Sequence, residues 1–167
     1  MQIIISNYNP DWPLAFQKEE GLLIRALGDV VLKVHHIGST SVPGLKAKPI
    51  IDIILEVTDL DALDQRNAEL EQLGYEVKGE YGIPRRRYFR KGSERRTHHI
   101  HSFQTGDSNI ERHVAFRDYL IAHPDIAEEY AQLKIAIARR CDGDMGRYCD
   151  EKDAFVKLHE QKALEWI

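Results

Sequence analysis

His36-Ile37-Gly38-Ser39-Thr40-Ser41-Val42-Pro43-Gly44-Leu45-Lys46-Ala47-Lys48-Pro49-Ile50-Ile51-Asp52 is the stretch on which the reading of this chain turns. Upstream of the turn, Val30 to Ile37 is rich in β-branched residues and runs into Gly38-Ser39, which reads as a strand entering a turn. Glycine at a strand end lets a ligand approach the backbone closely, and the amides and hydroxyls of Gly38, Ser39, Thr40 and Ser41 can cradle a phosphate. Thr40 to Lys48 contains Pro43-Gly44 and reads as a loop with at most a short helical turn. Lys48 at its end adds a compact positive charge. Downstream, Ile50, Ile51, Ile53, Ile54, Leu55 and Val57 form a nearly continuous apolar run, expected of a strand covered on both faces at the centre of a sheet. Asp52 interrupts that run. A carboxylate beside a phosphate cradle is placed to share a hard divalent cation such as Mg²⁺ with phosphate oxygens, which makes Asp52 the candidate catalytic residue.

Working outward, Asp11-Trp12-Pro13 has the aspartate cap and first-turn proline of a helix start, and Phe16, Leu23 and Leu27 follow at helical spacing as far as Gly28. After Asp52, the segment from Thr58 or Asp59 to Gly74 reads as one amphipathic helix with Leu60, Leu63, Leu70 and Leu73 on its apolar face. Three strands are expected next, Tyr75 to Glu80, Arg85 to Arg90 and Thr97 to Phe103, joined by Gly82-Ile83-Pro84 and Lys91-Gly92-Ser93 as an antiparallel meander. The last third reads as helices: Ile110 to His123, a second opened by a capping box of Asp125 and Glu128, and a third carrying Phe155, Leu158 and Trp166. This order predicts an α+β fold, a mixed sheet with helices packed on it, in a single domain over residues 1–167.

Charge is distributed unevenly. The charged residues of 59–71 are mostly acidic, whereas Arg85, Arg86, Arg87, Arg90, Lys91, Arg95 and Arg96 cluster with only Glu94 among them. Alternation along a strand divides these arginines between two faces, which fits a local anion site better than a nucleic-acid groove. Arg87 and Arg96 are the candidates for the pocket, since a planar fork suits phosphate or carboxylate; the others are assigned to the surface. His99 and His101, two residues apart on a strand, face one side and with Asp52 supply the donors of a two-histidine, one-carboxylate site for Zn²⁺ or another transition metal. The alternative, favoured because no third strong ligand is fixed, has them donate hydrogen bonds to phosphate oxygens or to sheet neighbours. His35 and His36 are read as structural, or as partners that orient the turn.

A length of 167 residues can bury a continuous core without disulfides or metals, and a net charge of -4 names no partner. No apolar run approaches the roughly 20 residues of a membrane span, and Ile3-Ile4-Ile5 is too short for a signal-peptide core, so a cytoplasmic protein is expected. Cys141 and Cys149 are not in a paired CxxC spacing and read as free thiols.

Taken with Gly82-Ile83-Pro84, Arg87-Tyr88-Phe89-Arg90-Lys91-Gly92, Arg96-Thr97-His98-His99-Ile100-His101 and the segment Tyr8 to Phe16, the opening string closely resembles the GrpB family, from near the N-terminus to about residue 140. The resemblance implies a nucleotidyltransferase-like fold, in which the Gly38-Ser39 turn holds a triphosphate and acids on the next strand hold metal. In active nucleotidyltransferases two acids stand one residue apart on that strand, with a third on a later one. Here the second position is Ile54, and the later strand offers histidines and no acid. Glu56 shares the face of Asp52, but about 13 Å of strand separates them, too far for one metal. Three readings stay open: a metal-dependent nucleotidyl transferase, a catalytically silent module that binds a nucleotide or other phosphorylated small molecule, and a His/Asp metal-dependent hydrolase or sensor.

Overall fold

The apolar run around Asp52 forms β2 (Ile51–Val57), and it is an interior strand as expected. In the computed structural model, which describes residues 3–167, β2 pairs antiparallel with β1 (Val31–Ile37) and parallel with β5 (His98–Gln104). β5 in turn pairs antiparallel with β4 (Arg87–Lys91), and β4 with β3 (Tyr75–Val77), giving the mixed order β1-β2-β5-β4-β3. The predicted meander is therefore the β3-β4-β5 half of the sheet. Its connection back to β2 is parallel because the segment between β2 and β3 crosses over as helices α2 (Leu60–Asp64) and α3 (Asn67–Gln72).

Strand alternation sorts the side chains of β2 onto two faces. Ile51, Ile53, Leu55 and Val57 pack with Leu23 and Leu27 of α1 (Asp11–Leu27), with Leu63 and Leu70 of α2 and α3, and with Phe89 and Ile100. On the opposite face Ile37, Ile54 and Phe103 pack with Ile110 of α4 (Ser108–Ala122). α4 joins α5 (Pro124–Arg140) and α6 (Met145–Trp166) in a bundle whose core includes Leu120, Tyr130, Ala131 and Ala163. The fold is α+β, with α1 to α3 on one face and α4 to α6 on the other. No helix among the described residues is long and apolar enough to cross a membrane.

Three local expectations are corrected. Asp11 is the first helical residue, Pro10 holds the N-cap position, and the Asn9 side-chain oxygen before it accepts the Asp11 N–H at 2.9 Å. The helix expected over 59–74 starts as foreseen, with the Asp59 carboxylate accepting from Asp61 and Ala62. It breaks after Asp64, where Arg66 and Glu69 shift to bonds three residues back. The Asp125 and Glu128 capping box does not form, because Pro124 itself opens α5, where its missing N–H costs nothing, and this moves Asp125 inside the first turn.

A buried ion pair ties the two halves of the inner face together. Glu19 of α1, 4% exposed, accepts from Lys91 Nζ of β4 at 2.6 Å and from the Tyr75 hydroxyl of β3 at 3.0 Å. Removing one partner of a buried pair leaves an uncompensated charge. Lys91→Met is therefore expected to lower the unfolding free energy in urea by about 3 kcal/mol; an unchanged midpoint would show that this pair does not hold α1 to the sheet.

Candidate functional site

The end of β1 and the middle of β2 meet at one point. Ile37 is the register partner of Asp52, so Gly38 leaves the sheet directly over the Asp52 side chain. Gly38 has φ +74°, and a Cβ built on it would lie 2.8 Å from Asp52 Oδ2. Only glycine fits both the backbone angle and the space. The carboxylate stays reachable, with 31% of its side chain exposed. β5 brings His99, the parallel register partner of Asp52, and His101, two residues on, to the same carboxylate: His99 Nδ1 lies 3.5 Å and His101 Nε2 3.7 Å from Asp52 Oδ1. Burial pushes the Asp52 carboxyl up, but hydrogen bonding from His101 and His99 outweighs it and holds the group well below the usual carboxylate range.

The turn itself, Ser39–Ser41, is a single 3₁₀ turn. His36 Nε2 lies 3.0 Å from Thr40 Oγ1, and its ring stacks on Phe16 at 4.7 Å. Burial, the largest influence, pushes the His36 imidazole down to about 4, so it is neutral at pH 7 and serves as a hydrogen-bonding brace. The Thr40 hydroxyl reaches the Ile50 carbonyl, and the Ser41 hydroxyl donates to the Gly38 carbonyl. Two of the three predicted hydroxyl donors are thus used in shaping the turn. Ser39 is the one turned elsewhere.

It turns toward the C-terminal helices. Lys134 of α5, 2% exposed, donates to Ser39 Oγ at 2.8 Å and to the Lys46 carbonyl at 2.7 Å. Burial first, then the neighbouring charges of Lys152 and Lys48, push the Lys134 ammonium down to about 7. Lys48 is pushed down by burial and by Lys152. Lys48, Lys134 and Lys152 all line one recess of about 130 Å³, together with Gly38, Ser39 and Asp52. None of these lysines makes an ion pair among the described residues. Tyr148, fully buried on α6, also lines the recess, between Lys48 at 5.0 Å and Lys152 at 5.5 Å from its ring, and its hydroxyl has no partner.

Of the residues singled out in the sequence, Gly38, Ser39, Thr40, Lys48, Asp52 and His99 line the recess, and His101 reaches it through Asp52. Ser41, Arg87 and Arg96 do not. Arg87 lies on the α1–α3 face, where its fork binds the Asp64 carboxylate at 2.8 and 3.2 Å, and Arg96 pairs with Glu76 at 3.0 Å. The physical reason is parity: Asp52, His99, His101 and Tyr88 share one face, and Arg87 points to the other. Arg86, assigned to the surface by sequence, lies on the site's face. It is 7% exposed, its guanidinium lies 4.8 Å from the Tyr88 ring, and its Nη1 is 3.3 Å from His101 Nδ1. Lys91, also assigned to the surface, is instead the partner of Glu19. The sequence signal for Arg86 was alternation alone: Arg86 and Arg90 share the face of Tyr88, which register with His101 makes the site's face, and Arg90 is taken by Glu76 at 3.1 Å. Lys134, Lys152 and Tyr148 carried no such signal, because nothing local ties them to Ser39.

The donor set does not fit a two-metal centre. Ile54, at the second acid position, is fully buried against α4, and Glu56 is engaged by His35 at 3.0 Å and Thr105 at 2.8 Å. Among the described residues no group of three or more His, Cys, Asp or Glu side chains is arranged to hold a metal ion.

An α+β sheet whose interior acid faces a glycine turn, roofed by lysines from a C-terminal helical bundle, defines the class of protein. The chain belongs to the GrpB family, whose model (GrpB protein) matches residues 2–162. The UPF0157 protein YqkA of Bacillus subtilis (strain 168) is 45% identical over 95% of this chain, which spans only 46% of that relative. A dephospho-CoA kinase of Mycobacterium tuberculosis is 29% identical over 95% of this chain and 45% of its own length. The crystal structure of conserved protein GrpB from Enterococcus faecalis superposes with a TM-score of 0.94 at 44% identity, over 97% of this chain and 98% of that one. Similarity to the Cid1 poly(U) polymerase bound to Mg 3'-dATP reaches a TM-score of 0.49 at 14% identity, over 78% of this chain and 44% of that one, too low to carry a functional claim.

Gly38→Ala tests the close approach on which the site is built. The added methyl meets Asp52 Oδ2 at a positive φ, and the expected cost is about 2 kcal/mol, or about 6 °C in melting temperature at this chain length. A variant melting with the wild type would mean that the turn and Asp52 are not in contact.

Proposed function

We propose that this protein binds a phosphorylated small molecule, a nucleotide among the candidates, with a phosphate group in the recess between the Gly38-Ser39 turn and the lysines of the roof. One observation carries this reading: Lys48, Lys134 and Lys152 converge on one recess without a carboxylate partner of their own, facing only Asp52. Gathering buried cations is unfavourable unless an anion joins them. Backbone amides at the turn and the Ser39 hydroxyl add neutral donors of the kind that hold phosphate oxygens. At about 130 Å³ the recess is well below the roughly 300–1,000 Å³ that encloses a whole drug-sized ligand, so it suits the phosphate end of a larger molecule.

Binding without catalysis fits the donor set better than metal-dependent transfer, because Asp52 has no second acid beside it. Nucleotidyl transfer is kept as a second reading for one reason: Asp52 stands against the turn, where a single Mg²⁺ would find both carboxylate and phosphate oxygens. Asp52→Asn separates the two. In EDTA the substitution removes a charge that repels the ligand, so pyrophosphate is expected to bind several-fold more tightly. If Mg²⁺ is the bridge, the same variant loses a magnesium-dependent gain in affinity that the wild type shows and a nucleotide turnover that depends on it.

Lys134 gives the reading a pH signature. Its free ammonium, pushed down to about 7, is half neutral near pH 7, and a bound anion raises its proton affinity. The advantage in pyrophosphate affinity of the wild type over Lys134→Met is therefore expected to be full below about pH 7, at tenfold or more, and to fall as pH rises from 7 to 9, with proton uptake on binding. Calorimetry in buffers of different ionisation heat reads both quantities. Equal affinities for the two proteins at pH 6 would sink the proposal.

A further inference from the structure

Further along the same sheet face, toward β4, a second cavity of about 470 Å³ shares Lys152 as a wall with the first. Its size lies within the range of small-molecule sites. His101, whose Nε2 faces Asp52, also lines it, so the two cavities meet at the Asp52 and His101 pair. The Asp153 carboxylate on its wall is taken by Lys157 at 2.8 Å, and besides the shared Lys152 the cation of this second cavity without an ion-pair partner among the described residues is Arg86, which is buried. Its Nε donates to the Glu80 carbonyl at 3.1 Å and its Nη2 to the Tyr81 carbonyl at 2.8 Å, while Nη1 lies 3.3 Å from His101 Nδ1. A guanidinium carries five N–H groups, so these contacts leave one on each terminal nitrogen. Arg112 also lines the cavity, but its charge is taken by Glu160 at 2.6 Å. Ile83, Phe103 and Val156 supply an apolar wall.

We infer that this cavity is a second ligand subsite that takes a small organic carboxylate, its anion on the two open N–H groups of Arg86 and its apolar part against Ile83, Phe103 and Val156. One N–H on each terminal nitrogen can meet one oxygen of a carboxylate, the pairing for which a guanidinium is suited. A neutral ring would leave the buried charge of Arg86 unanswered. The subsite stands on its own residues and goes beyond the phosphate reading. If both readings hold, it brings a carboxylate-bearing molecule and a phosphate-bearing one to opposite sides of Asp52 and His101.

Cys149 lines this cavity and is exposed, whereas Cys141 is buried, so alkylation of the native protein reports on the subsite. Iodoacetate and iodoacetamide share a leaving group and differ in the carboxylate. The ratio of their rates at Cys149, divided by the same ratio for N-acetylcysteine, is expected to be about tenfold or more, because a cationic cleft concentrates the anionic reagent. Arg86→Met should lower the ratio at least threefold, leaving the part that Lys152 contributes. Arg86→Lys, which keeps the charge and loses the fork, should keep part of it, and it serves as the test if Arg86→Met does not fold by circular dichroism. Benzoate should slow wild-type alkylation saturably and benzyl alcohol should not. A ratio near one in the wild type, a ratio that neither substitution lowers, or equal protection by benzyl alcohol would overturn the inference. Pyrophosphate titration of the same variants keeps the two readings apart, since loss of the carboxylate subsite leaves pyrophosphate affinity within about twofold of wild type and the converse failure leaves the alkylation ratio intact.

Discussion

Contact between the Gly38 backbone and the Asp52 carboxylate governs how the rest of the site can be arranged. Antiparallel pairing of β1 with β2 sets Ile37 opposite Asp52, so the residue after Ile37 must pass over an acid with no room for a side chain. From that crossing the chain can only turn away from the sheet, and the 3₁₀ turn at Ser39–Ser41 does so under the roof of α5 and α6. Each neighbouring group then has a defined part. His36 braces the turn from behind, Arg117 of α4 donates to the His36 carbonyl at 3.1 Å, and Lys134 anchors the Ser39 hydroxyl from above.

The electrostatic design follows from a division of labour between the two halves of the fold. The sheet contributes an acid and two imidazoles, which lie close enough together to stabilise one another. The helical bundle contributes lysines that are left without acids of their own. A buried ammonium with only hydroxyl and carbonyl partners gives up part of its proton affinity, which is why Lys134 is poised near neutrality. The same imbalance recurs beside it at Arg86, which has backbone carbonyls and a histidine for neighbours.

Ile54 is why β2 offers no second acid beside Asp52. Its burial with Ile37, Phe103 and Ile110 makes it part of the packing that seats α4 on the sheet. Restoring an acid there would put an unpaired charge into an apolar cluster. The family membership, the α+β architecture and the acid beside the turn all stand without a two-metal centre.

Local chemistry determined much of this protein from sequence alone. A β-branched run ending in glycine, an apolar run interrupted by Asp52 and Glu56, and histidines two apart on a strand each depend on neighbours in the chain, and each appears where its periodicity put it. The choice among the arginines failed because alternation divides residues between faces without saying which face holds the site; register with β5 and β2 decided it for Arg86 and against Arg87. Lys134 stands 95 residues from Ser39, and Lys152 and Tyr148 lie on a different helix again. Their meeting depends on how α5 and α6 dock over the sheet. Docking angle and depth are set by the summed packing of many apolar side chains, so only the tertiary structure could bring those lysines to the turn.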